Sequence, residues 1–353
     1  GVPWKRNLTM WNWQRNMLVL DLPEPALFGR LPVLGLRHSL LQTWRDYIWL
    51  GILIIFIALF LTALNYLYFV RAAVALIPVA LLLWSGPPPP GPFSPYIQDA
   101  GIKPHQTLID SVDSWGGLAL WSMVETVDDH HYSWGGIHTD PHPEVLTQTH
   151  SYHGFGVMYP DNLTAQEPGH EWDAALSAYL DGTSTNPPWG WGELALHQEQ
   201  LDEKELWHNM TVLFAPNPSR EELLKALREG RGYAVHSDFE GGRLRLNRFD
   251  AISREGVAGM GQWLSTAERP SVNALIGFTG EGPPPVTIRL ISGGEVVATT
   301  QGTPPLALEW TPPSLQPGTR TYCRLLVEGR GHKLFSNPIF IEYPPQAYPG
   351  DSR

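Results

Sequence analysis

Eleven of the 13 histidines in this 353-residue chain fall between His105 and His236, and the densest run reads DDHHYSWGGIHTDPHPE. There Asp128, Asp129, His130, His131, His138, Asp140, His142 and Glu144 put imidazole and carboxylate side by side. Zinc, manganese and iron take that donor set. Gly135-Gly136, Pro141 and Pro143 interrupt any helix that would present two histidines one turn apart. The run therefore reads as a surface loop of hydrogen-bonded histidines, with no metal and no cofactor expected. A metal, if held, would draw on His197, His130, His131, His138 and His142. His236 precedes Asp238 and Glu240, an acid/base combination in type, but a strand before them and Gly241-Gly242 after them mark these two carboxylates as loop-edge residues. A nucleophile elbow, a Walker loop and a dinucleotide fingerprint are absent from the sequence. The single cysteine, Cys323, excludes a disulfide framework and any cysteine-rich metal site, and it sits in a strand pattern without an evident base.

The charge is unevenly spread. The formal net charge is −11, which argues against nucleic acid as a partner. Residues 1–46 nevertheless carry six basic side chains (Lys5, Arg6, Arg15, Arg30, Arg37 and Arg45) against Asp21, Glu24 and Asp46. Residues 47–70, YIWLGILIIFIALFLTALNYLYFV, hold no charge and are long enough to cross roughly 30 Å of hydrocarbon. A basic head, an apolar bar and an acidic body predict one transmembrane helix in a bacterial inner membrane, N-terminus cytoplasmic and body periplasmic. Residues 72–84 continue the apolar character past Arg71, as an interfacial helix or as the second arm of a hairpin. Trp11, Trp13, Trp44, Trp49, Arg71 and Trp84 are the expected contacts with membrane and partner subunits. Residues 1–46 form an amphipathic, Trp-rich arm, and 71–99 an apolar and then proline-rich linker.

The body must position whatever chemistry exists. Between 100 and 266 short apolar runs alternate with helical patterns, which implies a layered α/β domain. PHQTLIDSVDSW and EWDAALSAYLDG read as helices, the second closed by Gly182. GGLALWSMVE, GFGVMYP and MTVLFAP read as strands. SREELLKALREGRG is a helix with Ser219 as N-cap, Glu222 at its third position, and Gly230 or Gly232 at its end. From 267 to 343 the pattern becomes short alternating strands between Gly and Pro, a small antiparallel β-sandwich, with 344–353 as a tail.

The ordered run PHQTLIDSVDSWGGLALWSMVE, GFGVMYP, EWDAALSAYLDGTSTNPPWGWGELALH, SREELLKALREGRGYAV and SNPIFIEY resembles the C-terminal half of a PHP (polymerase and histidinol phosphatase) domain. It is similar to those metal-dependent phosphoesterases whose barrel is followed by a β-sandwich, over about residues 100–343. The resemblance implies a cluster of two or three metals on histidines and carboxylates, which lowers the pKa of a bridging water and clamps phosphoryl oxygens. The matched positions do not supply it. Met123 stands where the resemblance places a histidine, and Ala195-Leu196-His197 stands where it places Asp-x-His, so only His197 matches. Thioether and methyl groups do not hold hard metal ions.

The resulting expectation is a membrane-anchored α/β pseudoenzyme: a truncated, catalytically inactive PHP-like domain that stabilises a larger bacterial membrane complex. A photosynthetic reaction-centre and light-harvesting assembly is the first such complex considered. Two alternatives come from other classes. One is a membrane-bound phosphoesterase whose rebuilt metal site uses His197 and the 130–144 run. The other is a periplasmic ligand-binding module that uses the sandwich as its contact face.

Overall fold

The computed structural model describes residues 8–12, 15–31, 56, 101–132, 135–158, 164–194, 205–313 and 316–345. The chain divides into two compact units, one of residues 1–11, 15–31 and 106–353, the other of residues 12–14 and 32–105. The second contributes only residues 12, 56 and 101–105 to the described set.

In the first unit, strands β1 (Leu8–Trp11) and β2 (Asn16–Leu20) lead to a short 3₁₀ turn over Pro25–Arg30. Helix α1 (Lys103–Ser114) then delivers the chain to β3 (Leu118–Ser122). Every residue of β3 is buried, the pattern of a strand covered on both faces. The histidine-rich run is not a loop. It folds as a hairpin of β4 (Asp128–Tyr132) and β5 (Gly135–Thr139), with Asp129 opposite His138, and β1 adds to β5 in parallel. Pro141 and Pro143 fall beyond the paired residues, so they interrupt no ladder hydrogen bond. A short helix α2 (Val145–Gln148) leads to β6 (Gly154–Met158), again buried throughout. Helix α3 (Glu171–Leu180) buries Trp172 and Leu176, and Gly182 (φ +81°) follows its end, as the sequence pattern predicts. It leads to β7 (Trp189–Gly192). These strands form a sheet in the order β2-β3-β6-β7, with β3, β6 and β7 parallel and β2 antiparallel to β3. Gly190 lets α3 close on this sheet, because a Cβ there would come 2.8 Å from the Trp172 ring.

Beyond residue 205 the chain is a two-sheet sandwich. Strand β8 (Asn209–Leu213) is followed by helix α4 (Arg220–Arg228), where the Ser219 hydroxyl accepts the Glu222 N–H at 3.3 Å as the capping pattern predicts. Then come β9 (Gly232–Ser237), β10 (Arg243–Ser253), β11 (Gly256–Gly259), β12 (Trp263–Ser265) and β13 (Ser271–Thr279). The last six are β14 (Val286–Ser292), β15 (Glu295–Gly302), β16 (Leu306–Trp310), β17 (Arg320–Gly329), β18 (His332–Ser336) and β19 (Ile339–Glu342). One sheet runs β12-β19-β17-β18-β9-β8, with β14 also on β17 and β15 on β14; the other runs β11-β10-β13-β16. Leu246, Ile276, Leu290, Leu325 and Ile339 from both sheets meet in one core. Fully burying each such side chain stabilises by about 1.5–3 kcal/mol. Strands β8 to β12 belong to this sandwich along with β13–β19, so the strand-rich region begins well ahead of residue 267. The alternation Arg243-Leu244-Arg245-Leu246 announces β10, and a bulge between Leu246 and Arg248 then returns Phe249 and Ala251 to the core side.

These findings correct the expected fold class. The described fold is mostly β-sheet rather than a membrane-anchored α/β protein, with four sheets among the described residues. Strand dominates after residue 205, with period-2 burial in β10, β13 and β14 and continuous burial in β17, and among the described residues only the helix Arg220–Arg228 interrupts it. Among the described residues no helix is long and apolar enough to cross a membrane, which overturns the single-pass inner-membrane placement. The stretches 47–70 and 72–84 lie outside the described residues.

The parallel layer and the sandwich are joined by buried polar contacts. Arg324 of β17 meets Asp173 of α3 through Nε (2.7 Å) and Nη2 (2.8 Å), with the Tyr322 hydroxyl donating to the same carboxylate at 2.7 Å. The guanidinium lies 4.6 Å over the Trp172 ring. Asn337 accepts the Gly190 N–H at 2.7 Å.

Candidate functional site

In open parallel sheets, ligands bind beyond the carboxyl ends of the strands, where successive chains diverge. Here that edge is made by Ser122 at the end of β3 and Met123 after it, Met158 at the end of β6, and Glu193 after β7. Met123 is held at φ +53°, a left-handed conformation that costs a non-glycine residue about 1–2 kcal/mol. Glu193 secures it. Its Oε1 accepts the Met123 N–H at 2.6 Å, and its Oε2 accepts the Ser122 hydroxyl at 2.9 Å. The side chain reaches these partners across β6 at Gly156, where a Cβ would lie 2.0 Å from the carboxylate. Burial raises the Glu193 carboxyl above the usual range, and the two donors pull in the other direction. A second buried carboxylate, Glu125, accepts the N–H of Thr164 (3.0 Å), the N–H of Ala165 (3.1 Å) and the Thr164 hydroxyl. It anchors the turn that enters α3.

Both carboxylates thus organise backbone at this edge. Met123, at the position of an expected histidine ligand, spends its N–H on Glu193. Among the described residues no group of three or more His, Cys, Asp or Glu is arranged to hold a metal ion. Residues 159–163 and 195–204, including Ala195 and His197, lie outside the described set.

The hairpin histidines go separate ways. His138 has Nδ1 2.6 Å from Asp129 and Nε2 2.9 Å from Asp140, with its ring edge-on to Trp11 at 6.0 Å. Hydrogen bonds to Asp129 and then Asp140 raise its pKa, because an imidazole that donates from both nitrogens is an imidazolium. His130 and His131 are exposed and, as strand neighbours, point to opposite faces. His142 is buried, and desolvation lowers its pKa to about 4. The alternation of strands is therefore what keeps these residues from converging.

His236 lies in β9, between Asn209 Oδ1 (2.6 Å) and Asp238 (2.9 Å), and Asp238 and Glu240 are exposed just beyond the strand. Because Asn209 Nδ2 donates to the Glu193 carbonyl at 3.0 Å, its Oδ1 is an acceptor and His236 carries its proton on Nδ1. Cys323 is buried in β17, and burial pushes its thiol up to about 12.

Sequence reasoning missed Glu125, Glu193, Asp173 and Arg324. Glu193 carries one usable signal, its place directly after the WGWG run, whereas nothing local marks Asp173 for Arg324, 151 residues away. Of the expected contact residues, Trp11 is 46% exposed. Trp13, Trp44, Trp49, Arg71 and Trp84 lie outside the described residues. No protein-family model matches the chain, and no curated protein matches it.

Proposed function

We propose that this chain is a non-catalytic accessory subunit of a larger bacterial protein assembly, bound to a partner protein through its N-terminal strands. One observation carries the reading. Trp11, Leu18, Leu20 and Phe28, all large and apolar, are 46%, 47%, 38% and 50% exposed within 18 residues of chain. Leu18 and Leu20 alternate onto one face of β2, which places them side by side for an apolar partner surface. Single exposed apolar residues are common, but a concentration of them marks an interaction site. The spent carboxylates at the strand ends support a domain in which a PHP-like scaffold serves assembly rather than hydrolysis. A reaction-centre and light-harvesting assembly is the first to test.

The test follows the tagged full chain from gently lysed source cells through a density gradient. Co-migration with defined proteins at fixed stoichiometry, surviving moderate salt, supports the reading. Release by Leu18→Glu with Leu20→Glu, at an unchanged melting temperature, assigns the contact to β2. Migration as a lone monomer overturns the reading. Stoichiometric metal with phosphoesterase activity, lost in His197→Ala, would replace it by the enzymatic one.

A further inference from the structure

The bulge in β10 opens a cavity of about 330 Å³ at the margin of the sandwich, within the size range of small-molecule sites. Phe214 and Met260 give it apolar walls, and Arg231, Asn247, Arg248, Asp250 and Gln262 supply its polar side chains. Two of the three acceptor side chains are already engaged. Asp250 accepts Arg248 Nε at 2.6 Å and Asn273 Nδ2 at 3.2 Å, and Gln262 Oε1 accepts the Gly259 N–H at 2.8 Å. Glu229, half-exposed and outside the lining, is ion-paired with Arg231 Nε at 2.7 Å.

The donors are in surplus. Arg231 lines the cavity, and its Nη2 is buried without a hydrogen-bond acceptor among the described residues. Gln262, its oxygen engaged, presents its NH₂ group, and Arg248 is half-exposed with its Nη atoms outside the Asp250 contact. With Asn247 offering both an amide oxygen and an NH₂ group, N–H donors still outnumber the free acceptors at this cavity, which favours an acceptor-rich ligand. Two arginines offset by two carboxylates leave no excess charge for a dianion, so a singly charged group fits better than a phosphate. A guanidinium is also suited to bind carboxylate through two parallel bonds. We propose that this cavity binds a small organic carboxylate, its charged end on Arg231 and Gln262 and its apolar body against Phe214 and Met260.

The proposal is independent of the assembly role and is tested on the purified full chain by calorimetric titration with benzoate, benzyl alcohol and inorganic phosphate. Saturable one-to-one binding of benzoate, at least tenfold tighter than of the other two, is the expected result. Arg231→Gln should weaken benzoate at least tenfold. Because Arg231 also pairs with Glu229, Phe214→Ala at the exposed wall provides a second variant and should weaken benzoate several-fold at an unchanged melting temperature. Absence of saturable heat, equal binding of phosphate or benzyl alcohol, or benzoate binding untouched by both substitutions overturns the proposal.

Discussion

Replacing Asp173 by alanine removes the carboxylate from a guanidinium that has no solvent exposure at all. The Arg324 side chain is 0% exposed and that of Asp173 is 3%. The carboxylate accepts four hydrogen bonds, from Arg324 Nε and Nη2, the Tyr322 hydroxyl and the Gly169 N–H. Taking one member from a buried pair costs about 3–5 kcal/mol, because the remaining charge keeps only the Glu167 carbonyl at 3.4 Å and the Trp172 face in place of a carboxylate. Stranding the Tyr322 hydroxyl adds about 1 kcal/mol, so a loss of roughly 4–6 kcal/mol is expected. That is a large share of an ordinary stability of about 5–15 kcal/mol. Substituting both members, as Asp173→Asn with Arg324→Met, removes both charges and leaves an acceptor for Tyr322. It should return stability to within about 2 kcal/mol of the parent. The assay is urea unfolding read by tryptophan fluorescence, with Trp172 beneath the guanidinium as reporter, and by circular dichroism. Since Asp173 lies in the parallel layer and Arg324 in the sandwich, both probes should report one transition. A cost below about 1 kcal/mol for Asp173→Ala, or a double variant as unstable as the single, would refute the reasoning.

Two further outcomes follow from groups that the fold holds away from water. Burial lowers His142 and His153 to about 4, and His153 Nδ1 accepts the Ala119 N–H at 3.4 Å, a role open only to the neutral ring. The unfolded chain therefore binds more protons than the folded one between pH 6.5 and about 4. Stability should fall as pH drops through that window, by up to about 3 kcal/mol per histidine, and be fully present above it. His138, raised and near the surface, contributes oppositely, its share lost as pH rises past its folded pKa. Equal melting temperatures at pH 7.5 and 5 would contradict the prediction. Cys323, fully buried with its thiol near 12, should resist a thiol reagent at pH 8 until denaturant unfolds the sandwich. Fast labelling of the native chain would show that β17 is open.

Several elements were legible because the property that forms them is local. Ser219 and Glu222 sit at capping distance, the uninterrupted apolar LALWS and GFGVM runs are buried strands, and the Gly- and Pro-bounded alternation after residue 267 is sheet. The histidine-rich run misled because Gly and Pro were weighed as loop formers. The pairing of Asp129 with His138 and of β1 with β5 lies in partners that no window of the sequence contains. The same holds for the candidate site. Met123 and Ala195 in place of expected ligands can be read from residue types alone. That Glu193 crosses Gly156 to hold Met123 in a left-handed turn depends on which strands are neighbours.

By itself, then, the sequence determined composition, charge and many of the strand and helix patterns, all properties of residues or of short windows. Tertiary structure decided which buried charges meet, as Asp173 does Arg324, and which histidines diverge. It also decided that the β10 bulge leaves a cavity with spare donors. Burial and hydrogen-bond partnership are set by chain segments far apart in sequence, and only their packing fixes them.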